Sequence, residues 1–195
     1  MKTCIVTYTH GDEHPPEEWK KYSSIIGNPR AKDAGVRFVQ TDLNRSFGVA
    51  NPRSYEEKRA KELQKEIQEY DLVLDIHRTD SPSTPFIAII ANKDHYSYTL
   101  PFGPNAVLYI PNATFSLIGN APIGVALEYP KTYSRSSKKP PLFEVVDFVK
   151  RETYWRDMNA INTIKKGDEI LYPFLSGASS YNGKCFIAKK LSDPR

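Results

Sequence analysis

Two apolar, β-rich runs each deliver a histidine at their end, and this placement constrains the fold more than any other feature of the chain. The first, Cys4-Ile5-Val6-Thr7-Tyr8-Thr9, runs directly into His10-Gly11-Asp12-Glu13; the second, Leu72-Val73-Leu74-Asp75-Ile76, ends in His77. Unbroken apolar runs of this kind suit strands covered on both faces, as in a sheet held between helix layers. In open α/β sheets, ligands bind at the carboxyl ends of the strands. A strand ending in H-x-x-E and another ending in a lone histidine can therefore bring two imidazoles and a carboxylate to one rim. Two histidines and a glutamate form the ligand set of a catalytic zinc that keeps a fourth position open for water. His10, Glu13 and His77 are accordingly the candidate ligands of one Zn²⁺ per chain, in a set that also accepts other divalent ions.

Asp75 precedes His77 by one strand repeat and so shares its face, where it can hold the imidazole as metal-bound histidines require. The ordinary alternatives are a turn residue for His10 and a core histidine for His77. His14 has the spacing from His10 that serves zinc on a continuous helix, but Pro15-Pro16 follows at once and a strand precedes. Glu13 is therefore the better ligand. His95 stands in a polar loop and reads as surface.

Net charge is +4, which raises the question of nucleic acid. The basic residues are scattered, however, and the densest group, Arg135, Lys138 and Lys139, lies in a Ser/Pro-rich loop rather than along a groove. The charge fits a cationic pocket for a small anionic substrate at least as well. No apolar run approaches the roughly 20 residues of a membrane helix. A strand begins almost at the first residue, which leaves no room for a signal peptide, and Cys4 and Cys185 read as two free thiols of the cytoplasm.

Strand patterns recur at Cys4–Thr9, Arg37–Gln40, Leu72–Ile76, Phe86–Ala91, Val107–Ile110 and Gly124–Glu128. A helix is expected from Tyr55 to Tyr70, where Ser54 and Glu57 match a capping box and Ala60, Leu63, Ile67 and Tyr70 share helical spacing. Shorter helices are expected from Glu17 to Ser23 and, after Pro140-Pro141, through Phe143, Val146, Phe148 and Val149. Beyond Arg151, strands are expected at Glu169–Phe174 and Lys184–Lys190, with a turn at Lys166-Gly167-Asp168; a helix from Glu152 to Ile164 remains an alternative. The expected architecture is a three-layer α/β/α fold with a mixed, mostly parallel central sheet. Residues 1–150 would form the α/β domain, and residues 151–195 a short, strand-rich C-terminal extension packed on it.

Further motifs fall in order along the chain: Gly27-Asn28-Pro29-Arg30-Ala31, Asp42-Leu43-Asn44-Arg45-Ser46-Phe47, Asp75-Ile76-His77 and Val125-Ala126-Leu127-Glu128. With His10-Gly11-Asp12-Glu13 they resemble the zinc hydrolases of the succinylglutamate desuccinylase/aspartoacylase family, relatives of the zinc carboxypeptidases. That family reads H-G-N-E, N-P-R-A, D-L-N-R-x-F, D-L-H and a strand ending in glutamate. The resemblance implies a zinc carboxypeptidase-like, phosphorylase/hydrolase-like fold in which His10, Glu13 and His77 ligate zinc. It implies that Glu128 is the general base and that Arg30 polarises the scissile carbonyl. Asn44 and Arg45 would bind a substrate carboxylate, and Tyr181 would contact substrate. Ordinary alternatives are a strand-end carboxylate paired with Lys131 for Glu128, and surface ion pairs for Arg30 and Arg45.

Two departures bear on the substrate. Aspartoacylases carry an arginine shortly before the catalytic glutamate that grips a second carboxylate, and Ala113–Gly119 contains none. This argues against N-acetylaspartate and succinylglutamate themselves. The segments 13–28 and the C-terminal region are short for the family, which predicts a more open pocket, or one closed by a second subunit of a homo-oligomer. The expected activity is hydrolysis of the amide of an N-acyl amino acid or a similar small carboxylate-bearing amide. The expected partners are that substrate and neither nucleic acid nor membrane. A metallocarboxypeptidase-like peptide hydrolase, and a binding protein that keeps the fold without turnover, are the alternatives.

Overall fold

The computed structural model describes residues 1–81, 85–150, 163–166, 169–175 and 184–192. Its centre is a ten-stranded sheet in the order β2-β1-β3-β6-β4-β5-β7-β10-β9-β8. The strands are β1 (Thr3–Thr7), β2 (Ile25–Ile26), β3 (Leu72–Arg78), β4 (Ile87–Ile90), β5 (Ala106–Tyr109), β6 (Gly124–Tyr129), β7 (Leu142–Lys150), β8 (Ile164–Lys166), β9 (Glu169–Phe174) and β10 (Lys184–Lys190). β1 runs parallel to β2 and β3, and β3 parallel to β6; β4 is antiparallel to β6, and β8 to β10 form an antiparallel end. The fold is the expected α/β class with a mixed, mostly parallel sheet and C-terminal strands.

Alternation along the central strands supplies two cores. Val73 of β3 and Ala126 of β6 face α3 (Tyr55–Ile67), whose Ala60, Leu63 and Ile67 are buried against them, and α4 (Leu117–Asn120), which adds Leu117 and Ile118. Leu72, Leu74 and Ile76, with Val125 and Leu127, face the other way. There they meet Trp19 of α1 (Glu17–Lys20) and Tyr96 of a 3₁₀ segment, Lys93–Phe102. α3 begins as its sequence requires. The Ser54 hydroxyl accepts from the Glu57 N–H, and the Glu57 carboxylate accepts from the Ser54 N–H.

Three local expectations differ from the structure. The stretch after Pro140-Pro141 is strand β7, paired with β5 and β10. Its β-branched and aromatic residues find cross-strand partners there, and proline is as compatible with a strand's approach as with a helix start. Arg37–Gln40 is not a strand, because the N–H groups of Val39, Gln40 and Thr41 bond the buried Glu56 carboxylate instead of a ladder. α1 stops at Lys20, before Ser23. The segment 29–34 was not expected to be helical. It forms α2 (Pro29–Ala34), capped by Asn28, whose side-chain oxygen accepts from the Ala31 N–H, with Pro29 in the first turn. The possible helix over Glu152–Ile164 and Tyr181 lie outside the described residues, save that Ile164 opens β8.

Candidate metal centre

The parallel run of β1, β3 and β6 puts the carboxyl ends of three strands side by side. β1 ends at Thr7, and Tyr8 takes a left-handed φ of 55° where the chain turns into the His10–Glu13 loop. Such a backbone is unfavourable for a bulky residue and persists only where the surroundings impose it. Gly11 lets that loop lie on α2: a Cβ there would stand 2.1 Å from the Ala31 carbonyl carbon. His77 comes from β3, directly opposite Glu128 of β6 in the register, so both side chains project from one face.

His10, Glu13 and His77 meet. Their ligand atoms lie within 4.8 Å of one another. Nδ1 of His10 is 2.9 Å from Oε1 of Glu13, and Nδ1 of His77 is 2.8 Å from Oε2. Ligands of a tetrahedral ion at about 2.0–2.2 Å stand roughly 3.3–3.6 Å apart, so a small outward movement would admit a divalent ion. The opposite ring nitrogens are engaged by aspartates: Nε2 of His10 is 3.0 Å from Asp42, and Nε2 of His77 is 2.8 Å from Asp75. An imidazole that donates Nε2–H to a carboxylate keeps its Nδ1 lone pair for a metal. The donor set therefore fits a divalent ion, with the His77 tautomer arranged from behind by Asp75, whereas at His10 the Arg37 Nη2 shares Nε2 with Asp42 at 3.0 Å. Asp75 is itself fixed by the Thr9 hydroxyl at 2.6 Å.

The electrostatics describe the same cluster. Burial opposes protonation of His10 and His77, but neighbouring carboxylates outweigh it and raise both pKa values, that of His77 strongly. Burial pushes Glu13 upward, and the two imidazoles more than reverse this, holding it well below the usual carboxylate range. Two imidazoles and one carboxylate thus shift one another through direct contact. Glu128 differs. Its burial prevails over the nearby His77 and pushes its pKa up to about 7.

The other expected residues divide. Asn44 and Arg45 line a small cavity of about 50 Å³ together with His77 and Glu128. The Asn44 side-chain oxygen accepts from the Leu117 N–H at 3.0 Å, and the Arg45 guanidinium lies over the Phe115 ring at 5.0 Å. Arg30 is not brought to the cluster: it is exposed on α2, with its guanidinium 4.4 Å from the centre of the Tyr55 ring. Arg37 stands there instead, its Nη1 donating to Glu13 Oε1 at 2.7 Å and its Nη2 lying 3.7 Å from Asp42. Neither Arg37 nor Asp42 was singled out from sequence as a partner of the ligands, although both lead into the Asp42–Phe47 motif. His14 contacts the Tyr8 hydroxyl at 3.4 Å and stays out of the cluster. His95 is half-buried rather than on the surface, with its Nδ1 accepting from the Gly124 N–H at 3.4 Å. A cavity of about 870 Å³ lies over Ile5, Leu72 and Leu74 on the opposite sheet face, away from these groups.

Fold and site together define an α/β protein with a cluster able to hold a metal ion at the carboxyl ends of adjacent strands. Residues 19–116 match the succinylglutamate desuccinylase/aspartoacylase catalytic domain, and the chain belongs to that family. It is 33% identical over 119 residues to a probable aspartoacylase of Prochlorococcus marinus (strain NATL1A), an alignment that takes in 48% of this chain and 39% of the relative. An aspartoacylase of Xenopus tropicalis is 34% identical over 103 residues, 45% of this chain and 32% of that protein. The matched stretch thus spans well under half the length of these relatives. Among solved structures it resembles the succinylglutamate desuccinylase of Chromobacterium violaceum, with a TM-score of 0.70 over 97% of this chain and 85% of that one, at 15% identity. A product-bound ectoine utilization protein, EutE (DoeB), of Ruegeria pomeroyi aligns with a TM-score of 0.63 over 98% and 85% of the respective chains, at 14% identity. Among the described residues, no helix is long and apolar enough to cross a membrane.

Proposed function

We propose that the protein is a zinc-dependent hydrolase that cleaves the amide of an N-acyl amino acid or a similar small carboxylate-bearing amide. The observation that carries this reading is the arrangement of His10 and His77, each with Nδ1 at Glu13 and Nε2 at an aspartate. When bound at His10, Glu13 and His77, a divalent ion supplies Lewis acidity, which makes water a better nucleophile and polarises a carbonyl. Glu128, buried beside His77 in the register, takes the proton of the attacking water and passes it to the departing amine. Arg37 is better placed than Arg30 to stabilise the oxyanion, because its guanidinium already stands at the ligands. Arg45 and the Asn44 amide hold the substrate carboxylate in the cavity that Glu128 also lines. Tyr181 is assigned its substrate contact by the resemblance alone. Residues 1–150 carry the metal ligands, the base and the arginines, with 151–195 as an extension, in a cytoplasmic enzyme.

Metal content and turnover test the reading together. The purified protein should carry about one zinc per chain, and His77→Ala should lose it. Glu128→Gln should keep the metal and lose about 10²–10⁴-fold in turnover of N-acyl amino acids. A wild-type protein that takes up no zinc at neutral pH, or a Glu128→Gln variant of full activity, would overturn the assignment.

A further inference from the structure

We propose that Arg78 and Lys131 form an anion subsite on the Glu13 side of the cluster, which takes a carboxylate carried by the acyl half of the substrate. The inference rests on the hydrolase reading and names a specificity determinant for it. A second cavity, about 180 Å³, is lined by Glu13, Arg37, Arg78, Thr79 and Lys131, with Asp12 and Asp80 contributing acidic groups. It opens onto the same Glu13 carboxylate that meets both histidines. The Arg78 N–H donates to Glu13 Oε2 at 3.3 Å, which anchors the residue immediately beside the ligand. Successive residues of a strand face opposite ways, so one step along β3 leads from His77 at the cluster to Arg78 in this second cavity.

The cations of this cavity differ in what already holds them. Arg37 is bonded to Glu13 and lies near Asp42. Asp80 has an interaction of its own and is exposed, so solvent and salt screen its charge. The Arg78 side chain is half-buried, and no described residue hydrogen-bonds or ion-pairs with it; the same holds for the exposed Lys131. A guanidinium offers five donors in a fixed fork, and withdrawing it from water without an acceptor is unfavourable. A carboxylate matches that fork with two oxygens, and the ammonium of Lys131 adds a second charge. Asp12 is exposed, so solvent and salt screen its repulsion.

The geometry also says which half of the substrate is read. Arg45 and Asn44 line the other cavity, beside Glu128 and His77. His77 lines that cavity and Glu13 lines the Arg78 cavity, and His77 Nδ1 is 2.8 Å from Glu13 Oε2. A substrate with its amide at the cluster therefore places one half toward Arg45 and the other toward Arg78. With the amino-acid carboxylate at Arg45, the acid recognised by Arg78 belongs to the acyl group. No arginine in Ala113–Gly119 offers a competing position.

Calorimetric titration of the zinc-loaded full chain with succinate and with butyrate tests this without relying on turnover. Succinate should bind about tenfold or more tighter than butyrate, the increment of a charge-assisted hydrogen bond. Arg78→Ala should bring the ratio close to one, Arg78→Lys should retain part of it, and Lys131→Ala should lower it several-fold. If Arg78→Ala does not fold, Arg78→Lys and Lys131→Ala carry the test alone. Equal binding of the two acids to the wild type, or a ratio that survives these substitutions, overturns the subsite. A wild type that hydrolyses no N-acyl amino acid yet shows Arg78-dependent succinate preference would refute the hydrolase reading and leave the subsite standing.

Discussion

Replacing Glu56 with alanine probes how the His10–Glu13–His77 cluster is held from behind. Glu56 sits in the first turn of α3 with none of its surface exposed. Its carboxylate accepts from the N–H groups of Val39 at 2.6 Å, Gln40 at 3.2 Å and Thr41 at 3.1 Å, and from the Asn28 amide at 3.3 Å. Those donors belong to the segment that carries Arg37 and Asp42 and to the cap of α2. A buried donor left without an acceptor costs about 1–3 kcal/mol, so the three backbone groups alone bound the effect at roughly 3–9 kcal/mol. Water can enter the space left at the partly exposed loop, which favours the lower end, about 3–5 kcal/mol. Against a typical stability of about 5–15 kcal/mol, this is a large fraction. Urea unfolding with chelator present, followed by far-UV circular dichroism, should show the midpoint falling by about 2 M for a slope near 2 kcal/mol/M. Burial opposes ionisation of Glu56, but the donated N–H bonds prevail and lower its pKa. Its contribution is therefore full above the ordinary carboxylate pKa and is lost as pH falls through the lowered folded value. The stability gap between wild type and Glu56→Gln should be constant above about pH 5 and shrink in more acidic solution. A loss below about 1 kcal/mol in Glu56→Ala would refute the reasoning, because it would mean the three N–H groups find other acceptors without penalty.

Asp75→Asn should weaken zinc binding about 10–100-fold in a chelator competition, because the amide cannot fix the His77 ring as the carboxylate does. Arg37→Ala should cut kcat by about 10²-fold or more, whereas Arg30→Ala, which removes only an exposed contact with Tyr55, should leave kcat within about twofold. The reverse ranking would return the role to Arg30. Gly11→Ala should destabilise the fold by about 1–3 kcal/mol and release metal, since its Cβ would overlap the Ala31 backbone; thermal melts and metal analysis would detect both.

The ligand cluster was legible because its information is local. A histidine at the end of an apolar strand, and H-x-x-E on the turn after another, need only the rule that parallel strands align their carboxyl ends. Asp75 was legible for the same reason, being one strand repeat from His77. The capping box of α3 and the strands at Glu169–Phe174 and Lys184–Lys190 likewise follow from short-range pattern. What the tertiary structure decided is the surroundings of the cluster. Arg37–Gln40 has the composition of a strand, but its N–H groups are taken by a carboxylate of α3, and this brings Arg37 and Asp42 to the ligands. The segment after Pro140-Pro141 carries apolar residues compatible with either period, and only the neighbouring strands β5 and β10 make it β7. Local sequence thus determined which groups stand at strand ends. The arginine and aspartates that face them depended on buried hydrogen bonds and strand pairing between segments far apart in the chain, whose partners no local pattern specifies.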